Sequence, residues 1–287
     1  MDANRPETTP RTGSRGLSRW IYYLTSIPTI LFRMKNPLRI VALFLGLPVR
    51  RPIEVELRSG ARFFVRTRME VWILKESCLD RDYERGAVAV RNGWTVLDIG
   101  AGLGDFAVRV ARDCPGATVY AFEPLPESFA LLQKNVQLNR VTNVQAFPEA
   151  VAGHAGTLDL YTVTGLSGQH RTAGDGAKSI AVPIRVPAVT LAAALERLPS
   201  KRCDFLKIDC EGAEYGILFA ADEATLSRIG HIAMEYHDAV TRHTHEEMAR
   251  FLEARGFQVR TRPSPVWREL GFLYASRRAS PAGMPPV

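Results

Sequence analysis

A chain of 287 residues, 46% hydrophobic and 23% charged, has the make-up of a folded globular protein, which excludes wholesale disorder and a polytopic membrane protein. Its formal charge of +7 sits entirely at the start: residues 1–51 hold nine Lys/Arg against two Asp/Glu, and the remainder is balanced at 28 against 28. A neutral body with a basic arm argues against nucleic acid as a partner, and for a loose tail or an anionic membrane surface.

After a polar opening, residues 21–32 and 38–49 form two apolar runs, interrupted by Arg33, Lys35 and Asn36 and by prolines at 28, 37 and 48. Neither run reaches the roughly 18–20 apolar residues of a spanning helix. No secretory cleavage site follows. Two readings stand for residues 20–49. One is a pair of short helices packed on the main domain as a lid or a homo-oligomer surface. The other is a monotopic anchor, peripheral at the cytoplasmic membrane, with Trp20, Tyr22 and Tyr23 at headgroup level.

Residues 53–66 alternate around Ser59-Gly60 as a hairpin does, and 69–85 has the pattern of one or two helices, so 52–92 forms a lead-in. From Trp94 the texture becomes strands alternating with helices, the form of a doubly wound α/β sheet over 93–278, with 279–287 as a tail. Strands are expected at 95–99, 118–122, 144–147, 157–163, 184–189, 205–208, 231–235, 257–261 and 271–275, and helices at 105–113, 127–139, 191–198, from 213, and at 246–255. A Gly/Ser/Thr-rich loop at 165–178 is either a substrate-closing segment or a surface insertion. Cys78, Cys114, Cys203 and Cys210 make no C-x-x-C pair and have no histidines at zinc-finger spacing, so a reducing, cytoplasmic setting is expected.

The most informative segment is Val96-Leu-Asp-Ile-Gly-Ala-Gly-Leu-Gly104. Glycines after a buried strand let the backbone approach a ligand and turn into a helix. The spacing is G-x-G-x-G rather than the G-x-G-x-x-G of dinucleotide folds, which weakens the rival reading of a nucleotide-dependent oxidoreductase. Asp98 suits a ligand bearing an ammonium and a carboxylate, as the methionine part of S-adenosylmethionine does. Glu123, closing the next strand, suits ribose hydroxyls.

With VLDIGAGLGDF (96–106), YAFEPLPESFALLQKNVQLN (120–139), FLKIDCEGAEYGIL (205–218) and IAMEYH (232–237), the chain resembles the FkbM-type class I S-adenosylmethionine-dependent methyltransferases over residues 53–276. The resemblance implies a Rossmann-like, mostly parallel seven-stranded sheet with a reversed final hairpin, here carrying an N-terminal helical and hairpin extension. It implies S-adenosylmethionine as donor and O-methylation of a hydroxyl on a sugar, glycan or secondary metabolite. By position, Asp98, Gly100, Ala101, Gly102 and Gly104 would line the methionine end, Glu123 and Pro124 the ribose, and Ala150 the adenine, with Asp209 completing the set.

Asp209, Glu211 and Glu214 follow the fourth core strand, and Glu235 and His237 end its neighbour, so these groups should converge where open α/β sheets bind ligands. An alcohol attacks a sulfonium methyl poorly without a base or a cation. His237 or Asp209, aided by Glu211, is the candidate base. Alternatively Asp209, Glu211, Glu235 and His237 hold Mg2+. Helix capping also accounts for Glu211 and Glu214. Lys207 is expected to pair with one of these acids, Glu76 and Tyr83 either reach the site or lie on a helix surface, and His243 and His245 read as solvated loop residues. A binding protein that keeps the pocket without turnover, as a partner in a glycan-assembly complex, is the rival from another class.

Overall fold

The computed structural model describes residues 16–35, 37–162, 170–172, 183–238 and 240–277. The tail at 279–287 lies outside the described residues, as does the Gly-rich loop apart from 170–172. Helices α1 (Gly16–Arg33) and α2 (Pro37–Phe44) precede an antiparallel hairpin of β1 (Ile53–Glu56) and β2 (Arg62–Val65). Next comes α3 (Arg68–Leu74), started by a capping box in which Thr67 and Glu70 satisfy each other's backbone amides. It runs directly into a π-helical turn, Lys75–Asp80, and then α4 (Asp82–Arg85).

The core alternates β3 (Thr95–Ile99), α5 (Asp105–Asp113), β4 (Thr118–Phe122), α6 (Pro126–Asn139) and β5 (Val144–Phe147). After it come β6 (Ala150–Ala152), β7 (Gly156–Thr162), β8 (His170–Thr172), β9 (Ile184–Thr190) and α7 (Leu191–Glu196). The chain finishes with β10 (Cys203–Ile208), α8 (Glu214–Phe219), α9 (Glu223–Ser227), β11 (Ile229–His237), α10 (His245–Glu253), β12 (Phe257–Pro263) and β13 (Leu270–Arg277).

Seven strands form one sheet in the order β12-β13-β11-β10-β3-β4-β5, parallel except where β13 runs against β11 and β12. This is the expected doubly wound sheet with its reversed hairpin. The central strands are apolar on both faces because helices cover both. Leu97, Ile99, Leu206 and Ile208 pack with α7 and α8 on one side, and Val96 and Phe205 pack with Phe106 and Val110 of α5 on the other. The chain leaves β3 towards β4 and β5, then returns to β10 on the opposite side of β3. That reversal opens a crevice at the carboxyl ends of β3 and β10.

The strands expected from 157 and over 184–189 are β7 and β9, residue 163 lying outside the described residues, but they build a separate four-stranded sheet, β6-β9-β7-β8. β7 alternates Leu158 and Leu160 with Thr157 and Asp159, so it has only one apolar face and cannot enter a sheet covered on both sides. The lead-in is fastened to the core by α6: Asn135 Oδ1 accepts the Phe64 N–H at 2.7 Å and Asn139 Oδ1 accepts the Arg62 N–H at 2.9 Å.

Candidate functional site

Between β3 and α5 the glycine turn lies against the ends of both neighbouring strands. Gly100 and Ala101 N–H groups both donate to Phe122 O at 3.0 Å. Gly100 has φ +73°, and a Cβ there would fall 1.8 Å from Asp209 O, so only glycine lets the turn pass the end of β10. Gly102 is different: a Cβ there would meet nothing within 4 Å, which leaves open space beside the turn.

Glu123 faces that turn from the end of β4. Its Oε2 accepts the Gly102 N–H at 2.8 Å, and its Oε1 accepts the Leu125 N–H at 3.0 Å, the intervening Pro124 having none to offer. Burial pushes its carboxyl up to about 7, against the pull of these two amides. Ala150, the first residue of β6, is buried in one small cluster with Leu125. These residues suit a nucleoside: open room beside Gly102, with a carboxylate at its edge.

Asp98 lies beneath the turn and is 0% exposed. The strand register sets it beside Lys207, whose ammonium is 3.1 Å away and also donates to Gly100 O at 2.7 Å. Burial pulls the Lys207 ammonium down, but the carboxylates of Asp98, Asp209 and Asp105 outweigh it and hold its pKa above that of a free lysine. Lys207 was expected to pair with an acid of the 209–214 turn, and the structure corrects this. A lysine and an aspartate at paired positions of two buried strands leave each other no better partner.

At the ends of β10 and β11 the acids converge as expected. Asp209 is fixed through its N–H to Ile99 O at 3.1 Å, and Tyr83 of α4 donates to its Oδ2 at 2.6 Å. The same hydroxyl lies 3.5 Å from Glu235 Oε2. Burial, reinforced by the Asp209 charge, raises the Glu235 carboxyl well above the usual carboxylate range.

His237 ends β11 with Nδ1 3.2 Å from Glu214 Oε1 and Nε2 3.6 Å from Glu211 Oε2. Burial alone would lower its pKa, but the carboxylates around it, Glu214 first, outweigh that and raise it well above that of a free histidine. Glu214 also accepts the Cys210 and Gly212 N–H groups at 2.6 and 2.8 Å, so it closes the turn before α8. Glu211 sits in that turn at φ +52°, a left-handed conformation that costs a non-glycine residue about 1–3 kcal/mol.

Of the expected metal set, Asp209 and His237 do offer ligand atoms within 4.8 Å of each other, but the third member of that group is Glu214. Glu235 turns to Tyr83 instead. Tyr83 reaches the site, and Glu76, which accepts from Tyr22 at 2.7 Å and Trp72 at 3.1 Å, lies near enough for its charge to act on Glu235. His243 keeps about a third of its side chain exposed at 34%, as expected of a solvated residue, whereas His245 is the more packed of the two at 18%. The Thr244 capping box folds both back: His245 stacks on Tyr236 at 4.2 Å and pairs with Asp238 at 2.6 Å, and His243 packs on Phe219 at 4.9 Å.

The Methyltransferase FkbM domain model matches residues 98–259. That span contains the glycine turn, Glu123, the 209–214 turn and the end of β11; Tyr83 and the arm lie outside it. The chain is 29% identical over 223 residues to the 31-O-demethyl-FK506 methyltransferase FkbM of Streptomyces tacrolimicus, covering 68% of this chain and 85% of that protein. It is 26% identical over 205 residues to Methyltransferase 1 of Beauveria bassiana, covering 66% and 81%. The crystal structure of the methyltransferase FkbM from Methylobacillus flagellatus KT aligns with a TM-score of 0.47 at 13% identity, over 89% of this chain and 59% of that one. With more than half its length inside the family model, the chain belongs to the FkbM family of S-adenosylmethionine-dependent methyltransferases.

Proposed function

We propose that the chain is an O-methyltransferase that methylates a hydroxyl of a sugar, glycan or secondary metabolite. The observation that carries this reading is the Tyr83–Asp209–Glu235 cluster beside His237, at the sheet edge next to the glycine turn. A relative whose name puts its methyl on an oxygen supports it. Glu123 would take the ribose hydroxyls, and the Gly100–Gly104 turn would carry the methionine end. Asp98 acts through Lys207, which fixes the Gly100 carbonyl. S-adenosylmethionine supplies an electrophilic methyl on its sulfonium.

The residues of this chain then manage the proton. The carboxylates around His237 and the burial of Glu235 beside Asp209 raise both groups, so each holds a proton more tightly than a free side chain does. Asp209, oriented by the Tyr83 hydroxyl, is left to accept the proton of the acceptor hydroxyl as its oxygen attacks. The carboxylates around His237 favour its charged form, which would place a cation at this edge, so turnover should need no Mg2+ and should survive a chelator.

The test is incubation with methyl-labelled donor and fractions of cell extract, including glycolipids. Label appearing in a methyl ether, with turnover cut by about 100-fold to 10,000-fold in Asp209→Asn, is the expected result. Label on nitrogen or carbon refutes the acceptor class. A wild-type protein that binds the donor yet labels nothing points instead to a cofactor-binding partner without turnover.

A further inference from the structure

The N-terminal helices have an apolar face too many. Ile30, Met34, Ile40 and Leu43 point inward and pack with the β1–β2 hairpin and α3. Yet among the described residues nine of the eleven exposed large apolar side chains fall between Ile21 and Leu47. Leu24 is 66% exposed, Phe32 70%, Leu38 84% and Leu45 69%. A helix apolar all round is normally buried all round, and a contiguous exposed apolar surface marks an interaction site.

Charge identifies the occupant. Between Glu7 and Glu54 the chain has eight Lys/Arg and no Asp/Glu. Arg33, Arg39, Arg50 and Arg51 are exposed, and no carboxylate of the described residues pairs with them. Arg39, Arg50 and Arg51 line a cleft of about 530 Å3 together with Val49, Ile53 and Phe64, which offers cations beside an apolar surface. A two-fold pairing with a second copy would set these unopposed positive charges against one another. No helix of the described residues is long and apolar enough to cross a membrane.

We propose that α1, α2 and the segment up to Pro52 form a monotopic docking surface for an anionic phospholipid bilayer. The apolar side chains enter the headgroup boundary, and the arginines meet lipid phosphates. α1 joins the rest of the protein through the Tyr22–Glu76 hydrogen bond and the edge-on contact of Tyr22 with Trp72, ring centroids 5.7 Å apart. Docking therefore places the π-helical turn, and α4 after it, close to the bilayer.

The full-length protein is sedimented with vesicles of phosphatidylcholine, with and without phosphatidylglycerol. It should pellet with the anionic vesicles, less so as salt rises, and stay in solution with the neutral ones. The triple variant Arg39→Gln/Arg50→Gln/Arg51→Gln should partition about 100-fold more weakly, from roughly fivefold per charge near an anionic surface. Leu24→Asp/Leu38→Asp/Leu45→Asp, all at exposed positions, should stop pelleting while leaving S-adenosylhomocysteine affinity unchanged, which verifies the fold. Wild type that ignores anionic vesicles overturns the proposal, as does pelleting unaltered by the leucine changes. A wild-type dimer that the same changes turn monomeric, without vesicle binding, assigns the face to a second copy and also overturns it.

Discussion

Glu123 couples ligand affinity to pH in a direction the structure fixes. Burial holds its carboxyl at about 7, and both oxygens are engaged by N–H donors, at 2.8 Å from Gly102 and 3.0 Å from Leu125. If the ionised carboxylate is the form that takes the ribose hydroxyls, apparent affinity scales with its population. That population is roughly one tenth at about pH 6 and nine tenths at about pH 8, so S-adenosylhomocysteine should bind about tenfold, or ~1.4 kcal/mol, more tightly at the higher pH. The apo protein changes in the opposite sense. The folded value lies above the unfolded 4.5, so the stability this group contributes is complete below 4.5 and is lost as pH rises through about 7, by up to ~3 kcal/mol.

Glu123→Gln tests the cause. An amide has one oxygen, so it can accept from Gly102 or from Leu125 but leaves the other donor facing an NH2 group. Calorimetric titration with S-adenosylhomocysteine should show weaker binding at every pH and no slope between about pH 6 and 8. Wild-type affinity that is flat across this range, or a Gln variant that keeps the slope, refutes the assignment of Glu123.

Three further outcomes follow from the same geometry. Asp98→Ala should lower stability by about 3–5 kcal/mol in denaturant unfolding, because it strands the buried Lys207 ammonium; adding Lys207→Met should recover part of that loss. Gly100→Ala should cut S-adenosylhomocysteine binding by about 100-fold or prevent folding, since its Cβ would overlap Asp209 O, whereas Gly102→Ala, with free space but φ +54°, should fold and bind more weakly. Tyr83→Phe removes the 2.6 Å hydrogen bond to Asp209 and should lower kcat by about 10-fold to 100-fold with donor affinity unchanged; an unaltered kcat would remove Tyr83 from the site.

The parts legible in the sequence were those with a local cause. Alternating strands and helices from Thr95 to Phe147 announce the parallel sheet, and glycines at 100, 102 and 104 with an acid at 123 announce the pocket, because all of them fall within one strand–helix–strand unit. Helix α5 and strands β4 and β5 stand at their expected bounds for that reason. What stayed hidden depends on register between distant segments. Lys207 meets Asp98 only because β10 aligns with β3, and Glu214, readable as a plain helix-start acid, faces His237 only because β11 ends beside α8. The π-helical turn at Lys75–Asp80 that leads into α4, and so to Tyr83, has no sequence signal, since its seven preceding residues look like an ordinary helix.

A crystal of this protein soaked with S-adenosylhomocysteine tests the central claim most directly. The ribose hydroxyls should lie on the Glu123 carboxylate, the homocysteine portion along the Gly100–Gly104 turn, and the sulfur towards the edge where Asp209 and Tyr83 meet. Density for the ligand elsewhere, or a crevice still filled by the protein's own side chains at saturating ligand, would contradict it.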